Sequence, residues 1–241
     1  MAIVLGGECC SPKLAGTTLE VIATSFEDAV EAKLGGADCL EIVRSLEEGG
    51  LTPELALVRR IRQELSIPIR VMLRENASMS VRDGQELARM QASAAEFSSF
   101  AVEGLVFGFT KSGVVDTTAL QAISSVAAGC HITFHRAFET VEDPEKAICE
   151  LKRFPEVDRI LTRVGDTAWQ QQRMEMVRLQ SLAAPQIQFA LGVGLHEALL
   201  AALREDQIPW IVHVGRAARE PETSFGRVKR EKVRALKSRL R

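Results

Sequence analysis

No Cys-x-x-Cys pair occurs in this chain, and its five cysteines, Cys9, Cys10, Cys39, Cys130 and Cys149, are an odd number at irregular spacing. That pattern argues against a disulfide framework and against a zinc knuckle, and it points to a reducing compartment, read here as the cytoplasm. No charged-then-apolar leader opens the sequence, and no run approaches the roughly 18 apolar residues of a membrane span. A membrane partner is therefore not expected. Nor is there an excess of charge of one sign: the net charge is −2, which gives no electrostatic case for nucleic acid or a lipid surface. No Pro/Ser-rich linker divides the 241 residues, so one domain is expected.

Charge is nonetheless unevenly placed. The last sixteen residues, 226–241, carry eight Lys/Arg against the single Glu231. No aromatic side chains are interleaved with these charges, as a single-strand nucleic-acid surface would have. The plain reading is a solvated basic helix whose charges suit the helix dipole.

What the sequence does have is a rhythm. After an irregular lead-in over 1–18, short apolar runs alternate with segments of three-to-four periodicity. Strands are expected over 19–24, 40–44, 68–74, 104–110, 131–137, 159–163, 187–191 and 210–214. Helices are expected over 25–34, 53–66, 81–100, 116–127, 143–153, 167–182, 195–204 and 225–240. Ser25 is expected to cap the first helix, Gly35-Gly36 to end it, and Thr52-Pro53 to open the second. Eight strand–helix units predict an α/β fold, a (β/α)8 TIM barrel filling 19–241 as a single domain. An open doubly wound sheet would carry Gly-x-Gly-x-x-Gly after its first strand, and Ala23-Thr24-Ser25-Phe26 does not.

Polar residues inside apolar strands are costly unless paired or solvated, so they mark the barrel's interior chemistry. Arg74, His135, Arg136 and His213 stand at or near strand C-terminal ends, where barrels place catalytic groups, and Glu41 lies inside its apolar strand. Glu41 and His135 are read as an acid/base pair, and Arg74 and Arg136 as a clamp for a small carboxylate or phosphate. Glu20 and His131, nearer the starts of their strands, are read as structural. A second signal lies after the last two strands, where Gly192-Val193-Gly194 and Gly215-Arg216 resemble the phosphate corner of many barrels. Gly192, Gly194, Gly215, Arg216 and Arg163 are therefore the expected binding residues for a small anionic molecule. No metal ligands are assigned from spacing and no cofactor is evident. Apolar outer helix positions are compatible with a homo-oligomer.

Leu19-Glu20-Val21, Gly35-Gly36-Ala37-Asp38, Leu40-Glu41-Ile42, Glu48-Gly49-Gly50-Leu51-Thr52-Pro53, Thr133-Phe134-His135-Arg136-Ala137-Phe138 and Arg159-Ile160-Leu161-Thr162 follow in order. Together they resemble the CutC copper-homeostasis family over about 19–220. The resemblance implies a cytoplasmic (β/α)8 barrel with a role linked to copper. In that family copper binding is associated with cysteines after the Leu-Glu-Val and Glu-Leu motifs, where this chain has Ile22 and Val43. Copper is thus implied by resemblance alone. The alternative is an enzyme of lyase or isomerase type, or a binding barrel for a small acidic or phosphorylated metabolite.

Overall fold

A computed structural model describes residues 16–163, 169–192, 197–205, 208 and 210–240 of the chain. Residues 1–15 of the irregular lead-in, with Cys9-Cys10, lie outside these residues, as do Gly194 and the expected helix starts at 167 and 195. The elements are β1 (Thr18–Ala23), α1 (Phe26–Gly35), β2 (Cys39–Ile42), α2 (Leu55–Glu64), β3 (Ile69–Met72), α3 (Gly84–Ser99) and β4 (Gly104–Phe107). Then come β5 (Thr110–Lys111), β6 (Val114–Val115), α4 (Thr117–Ser124), β7 (His131–Phe134), α5 (Pro144–Leu151), β8 (Val157–Thr162) and α6 (Trp169–Ala183). The chain continues through β9 (Gln188–Leu191), α7 (Glu197–Glu205), β10 (Ile211–Val214), β11 (Arg219–Glu220), β12 (Arg227–Val228) and α8 (Arg230–Arg239).

Among the described residues, eight parallel strands close a barrel in the order β1-β10-β9-β8-β7-β4-β3-β2. This is the expected TIM barrel. Alternation along each strand divides its side chains between two cores. Leu19, Val21, Leu40, Ile42, Val71, Phe107, Phe134 and Phe189 are buried as part of the large apolar layer. Each side chain taken out of water there contributes about 1.5–3 kcal/mol. Inside the barrel the apolar groups are fewer: Ile22, Val43, Met72 and Val106 form one small cluster, and Leu161, Ala190 and Ile211 another. Buried polar and charged side chains, among them Glu20, Glu41, Arg70, Thr133, Arg159 and His213, share the barrel with them.

Local chemistry sets the helix ends. Ser25 Oγ accepts the Asp28 N–H at 3.1 Å, and Gly36 ends α1 at φ 95°. Asp83 caps α3 and Asp143 caps α5, where Pro144 takes the first position, its missing N–H costing nothing there. Gly35 is needed for a different reason: a Cβ there would stand 2.5 Å from Val233 Cβ on α8, so the two helices cross at contact distance.

Several expected boundaries differ. The second helix starts at Leu55, because Thr52 turns its hydroxyl to the Arg74 backbone, accepting its N–H at 2.8 Å and donating to its carbonyl at 3.0 Å. The strand at 131–137 stops at Phe134, since His135 Nδ1 accepts the Ala137 N–H at 3.1 Å and starts a 3-10 turn over Arg136–Thr140. The closing helix begins at Arg230 rather than 225, after two-residue strands β11 and β12 pair as a hairpin. A second such hairpin, β5 with β6, follows β4. In the basic C-terminal segment Arg230 pairs with Glu31, Lys237 with Asp38, and Lys232 with Glu220 and Glu222, so these charges clamp α8 to its neighbours.

Candidate functional site

A polar column runs up the barrel axis. At its foot Arg70 donates to Asp158 through both terminal nitrogens, at 2.7 and 2.5 Å, and to Thr133 Oγ1 at 2.9 Å. Arg159 donates to Glu103 at 3.2 Å and to Glu20 Oε2 at 2.9 Å. The other Glu20 oxygen, Oε1, lies 2.9 Å from His213 Nδ1. Above them, Glu41 Oε2 is 3.9 Å from the same Nδ1. The register explains these neighbours: Glu20 is paired with His213 across β1 and β10, and Glu41 with Arg70 across β2 and β3.

The electrostatics follow from burial and partners. Burial raises the Glu20 carboxyl, but the bond from His213 and the Arg159 charge outweigh it and hold the group well below the usual carboxylate range. Glu41 is equally buried, lacks a guanidinium of its own, and sits beside the Glu20 charge. Burial pushes it up to about 7 against the pull of His213. Burial opposes charge on His213 too, yet Glu41 and Glu20 together raise it above the ordinary imidazole value. Glu41 Oε2 has no hydrogen-bond partner among the described residues.

His135 is the opposite case. Burial, then Arg74 and Arg136, depress it to about 3, so the ring is neutral at pH 7. Because Nδ1 accepts from Ala137, the neutral ring carries its proton on Nε2. That buried Nε2 also lacks a partner among the described residues. In that tautomer His135 can donate one hydrogen bond from Nε2 into the site.

Glu41, Arg74, His135, Arg136, Gly192, His213, Gly215 and Arg216 all line one cavity of about 810 Å3 beyond the strand C-terminal ends. Arg74 is fixed by the carbonyls of Gly49, Gly50 and Ala77. Arg136 forks onto Glu139 at 3.0 and 2.8 Å. Arg163 does not join the lining: its backbone N–H donates to Glu139 at 2.9 Å and its guanidinium lies 3.5 Å from the same carboxylate. Gly194 lies outside the described residues. Ile22 also lines the cavity, and Val43 packs beside it in the small apolar cluster.

Four contributors were not among the expected site residues. Glu20, expected to be structural, does pair with Arg159, but it also orients His213. Glu139, three residues after Arg136, has the spacing of a helical ion pair, and that was the available signal. Glu222 and Ser224 reach the mouth from the β11–β12 hairpin, for which no periodicity exists to be read.

A (β/α)8 barrel with a polar, guanidinium-rimmed pocket at its C-terminal face is the class that this fold and site define. The chain belongs to the CutC family, whose model matches residues 17–213. A human protein named copper homeostasis protein cutC homolog is 31% identical over 191 residues, 79% of this chain and 70% of its own length. A CutC family protein of Treponema denticola is 37% identical over 134 residues, and the match spans 55% of this chain and 54% of that protein. The crystal structure of a CutC protein from Streptococcus agalactiae superposes with a TM-score of 0.74 at 22% identity, covering 83% of this chain and 98% of that one. Thiamine phosphate pyrophosphorylase from Pyrococcus furiosus shares the fold alone, with a TM-score of 0.58 at 12% identity over 92% of this chain and 95% of that one. No helix among the described residues is long and apolar enough to cross a membrane.

Proposed function

We propose that this CutC-family barrel serves copper homeostasis in the cytoplasm, the role for which its human relative is named, and that it acts through its mouth by binding a small anionic molecule. The observation that carries this reading is the unpartnered, buried Nε2–H of neutral His135 in the wall of a cavity that Arg74, Arg136 and Arg216 also line. A donor left unsatisfied in a buried site costs roughly 1–3 kcal/mol, and a ligand oxygen would remove that cost. Positively charged guanidinium groups suit a carboxylate or phosphate, and three of them line this one cavity.

Copper held on thiolates does not fit these residues. Soft Cu(I) favours Cys and Met, and among the described residues the cavity is lined by Met72 and Met79 but by no cysteine. Cys39 is buried below the mouth, and burial with the Glu20 charge pushes its thiol well above the ordinary value. An acid–base reading of the same mouth rests on a separate observation, the Glu41 carboxyl raised to about 7. In it Glu41 exchanges the proton and His135 polarises the ligand.

Thermal unfolding of the full chain with inorganic phosphate, oxalate or malonate tests the anion reading. At least one of these probes is expected to raise the midpoint, with the rise lost in His135→Asn and reduced in Arg74→Lys. A midpoint unmoved by all three, or a rise that persists in His135→Asn, overturns it.

A further inference from the structure

Beneath the anion-binding wall, the floor of the mouth gathers donors of the opposite kind. Glu20, Glu41 and His213 each present one ligand atom, and the three atoms lie within 4.8 Å of one another. We propose that Glu20 Oε1, Glu41 Oε2 and His213 Nδ1 form a binding site for a borderline divalent cation of the Cu(II) or Zn(II) type, with its fourth position open to the cavity. The inference rests on the mouth being the working site but not on the identity of the anion above it.

Geometry is the first support. Atoms bound at roughly 2.0–2.2 Å around a tetrahedral ion stand about 3–3.5 Å apart. The Glu20–His213 and His213–Glu41 separations are 2.9 and 3.9 Å and all three atoms lie within 4.8 Å of one another, so side-chain shifts on the order of an ångström would close the site.

The unpartnered oxygen is the second. Glu41 is 2% exposed, and its Oε2 has no hydrogen-bond partner among the described residues although it sits at the rim of the cluster. A buried carboxylate oxygen without a donor is costly, and a cation would satisfy it.

Charge and outer support point the same way. Along the barrel axis the guanidinium groups of Arg70 and Arg159 pair with the carboxylates of Glu20, Glu103 and Asp158, and the buried Glu41 adds a fourth carboxyl. With His213 neutral, these six groups leave two negative charges for a dication to balance. Glu20 uses Oε2 for Arg159, which leaves Oε1 free of that guanidinium and fixes the direction in which it points. Such outer partners orient metal ligands in known sites. Two carboxylate oxygens and an imidazole nitrogen favour a borderline dication over soft Cu(I).

The test is titration of chelator-treated full-length protein with Zn(II) against a chromophoric competitor, followed by Cu(II) electron paramagnetic resonance. One tight equivalent per chain is expected, at least about a hundredfold weaker in Glu41→Gln, since losing an outer-shell partner alone costs 10–100-fold. Glu41→Gln removes a charge but no hydrogen bond of Oε2, so it should fold. The Cu(II) spectrum of the wild-type chain should show coupling to one imidazole nitrogen, absent in His213→Gln and retained when all five cysteines are alanine. No stoichiometric binding, an equivalent retained in Glu41→Gln, or a wild-type spectrum without that nitrogen coupling overturns the site. Failure here with a phosphate, oxalate or malonate shift intact would remove the cation and leave the anion reading standing.

Discussion

His213 on β10 is held by Glu20 on β1, with Nδ1 and Oε1 2.9 Å apart on strands whose register sets the two residues side by side. The same carboxylate binds Arg159, so one buried side chain joins the foot of the axial column to the mouth. Removing it strips Arg159 of one of its three carboxylate partners and takes from His213 the nearer of its two carboxylates. Glu20→Ala is therefore expected to destabilise the barrel by about 3 kcal/mol or more, the range for breaking a buried ion pair. Urea unfolding measures it, and a loss below about 1 kcal/mol would show that the pair contributes little.

His135 gives a pH dependence with a definite sign. Its folded pKa is depressed to about 3 from an ordinary 6.5, so the unfolded chain binds the proton first as pH falls. Stability from this group is full above about 6.5 and declines as pH drops towards 3. By pH 5 the loss is about 2 kcal/mol. His135→Asn keeps a side-chain acceptor for the Ala137 N–H but cannot titrate. Between pH 7.5 and pH 5 the variant should lose about 2 kcal/mol less than the wild type in urea unfolding. Equal losses would mean that the imidazole is solvated and charged in the folded state.

Arg74 ties three carbonyls on two loops to the mouth, which a lysine ammonium cannot reproduce in a plane. Arg74→Lys should keep the fold, weaken oxalate or phosphate binding about tenfold, and speed amide hydrogen exchange over 49–51. Unchanged affinity measured by calorimetry would place the anion elsewhere.

At the far side of the barrel, Gly35 and Gly36 do different work. A Cβ at Gly35 would meet Val233 at 2.5 Å and the Arg230 carbonyl at 2.8 Å, whereas one at Gly36 meets nothing closer than 3.8 Å but stands at φ 95°. Gly35→Ala should cost about 1–3 kcal/mol by forcing α1 from α8. Gly36→Ala should cost about 1 kcal/mol through backbone strain alone. Thermal midpoints of the two variants decide, and the reverse order would contradict the packing argument.

The barrel was legible because its strands and helices carry periodicity over many residues, and the strand-end positions of Arg74, His135 and His213 followed from it. Their partners were less so. The Glu20–His213 bond joins residues 193 apart, and only the closure of β1 against β10 brings them together. Apolar alternation says that both side chains face inward but not at which level. The hairpins β5–β6 and β11–β12 have two residues per strand, too few to show any period, although the second brings Glu222 and Ser224 to the site. Thr52 had the sequence of a helix cap, and a tertiary bond to the Arg74 backbone displaced that local preference.

The central claim is that the mouth, not a thiol, carries the role in copper homeostasis. Growth of cells lacking the chain across a range of copper concentrations tests it most directly, after complementation with defined variants. A chain with Cys9, Cys10, Cys39, Cys130 and Cys149 all changed to alanine should restore growth like the wild type, and His135→Asn and Glu41→Gln should not. Rescue by both mouth variants together with failure of the cysteine-free chain would contradict the account.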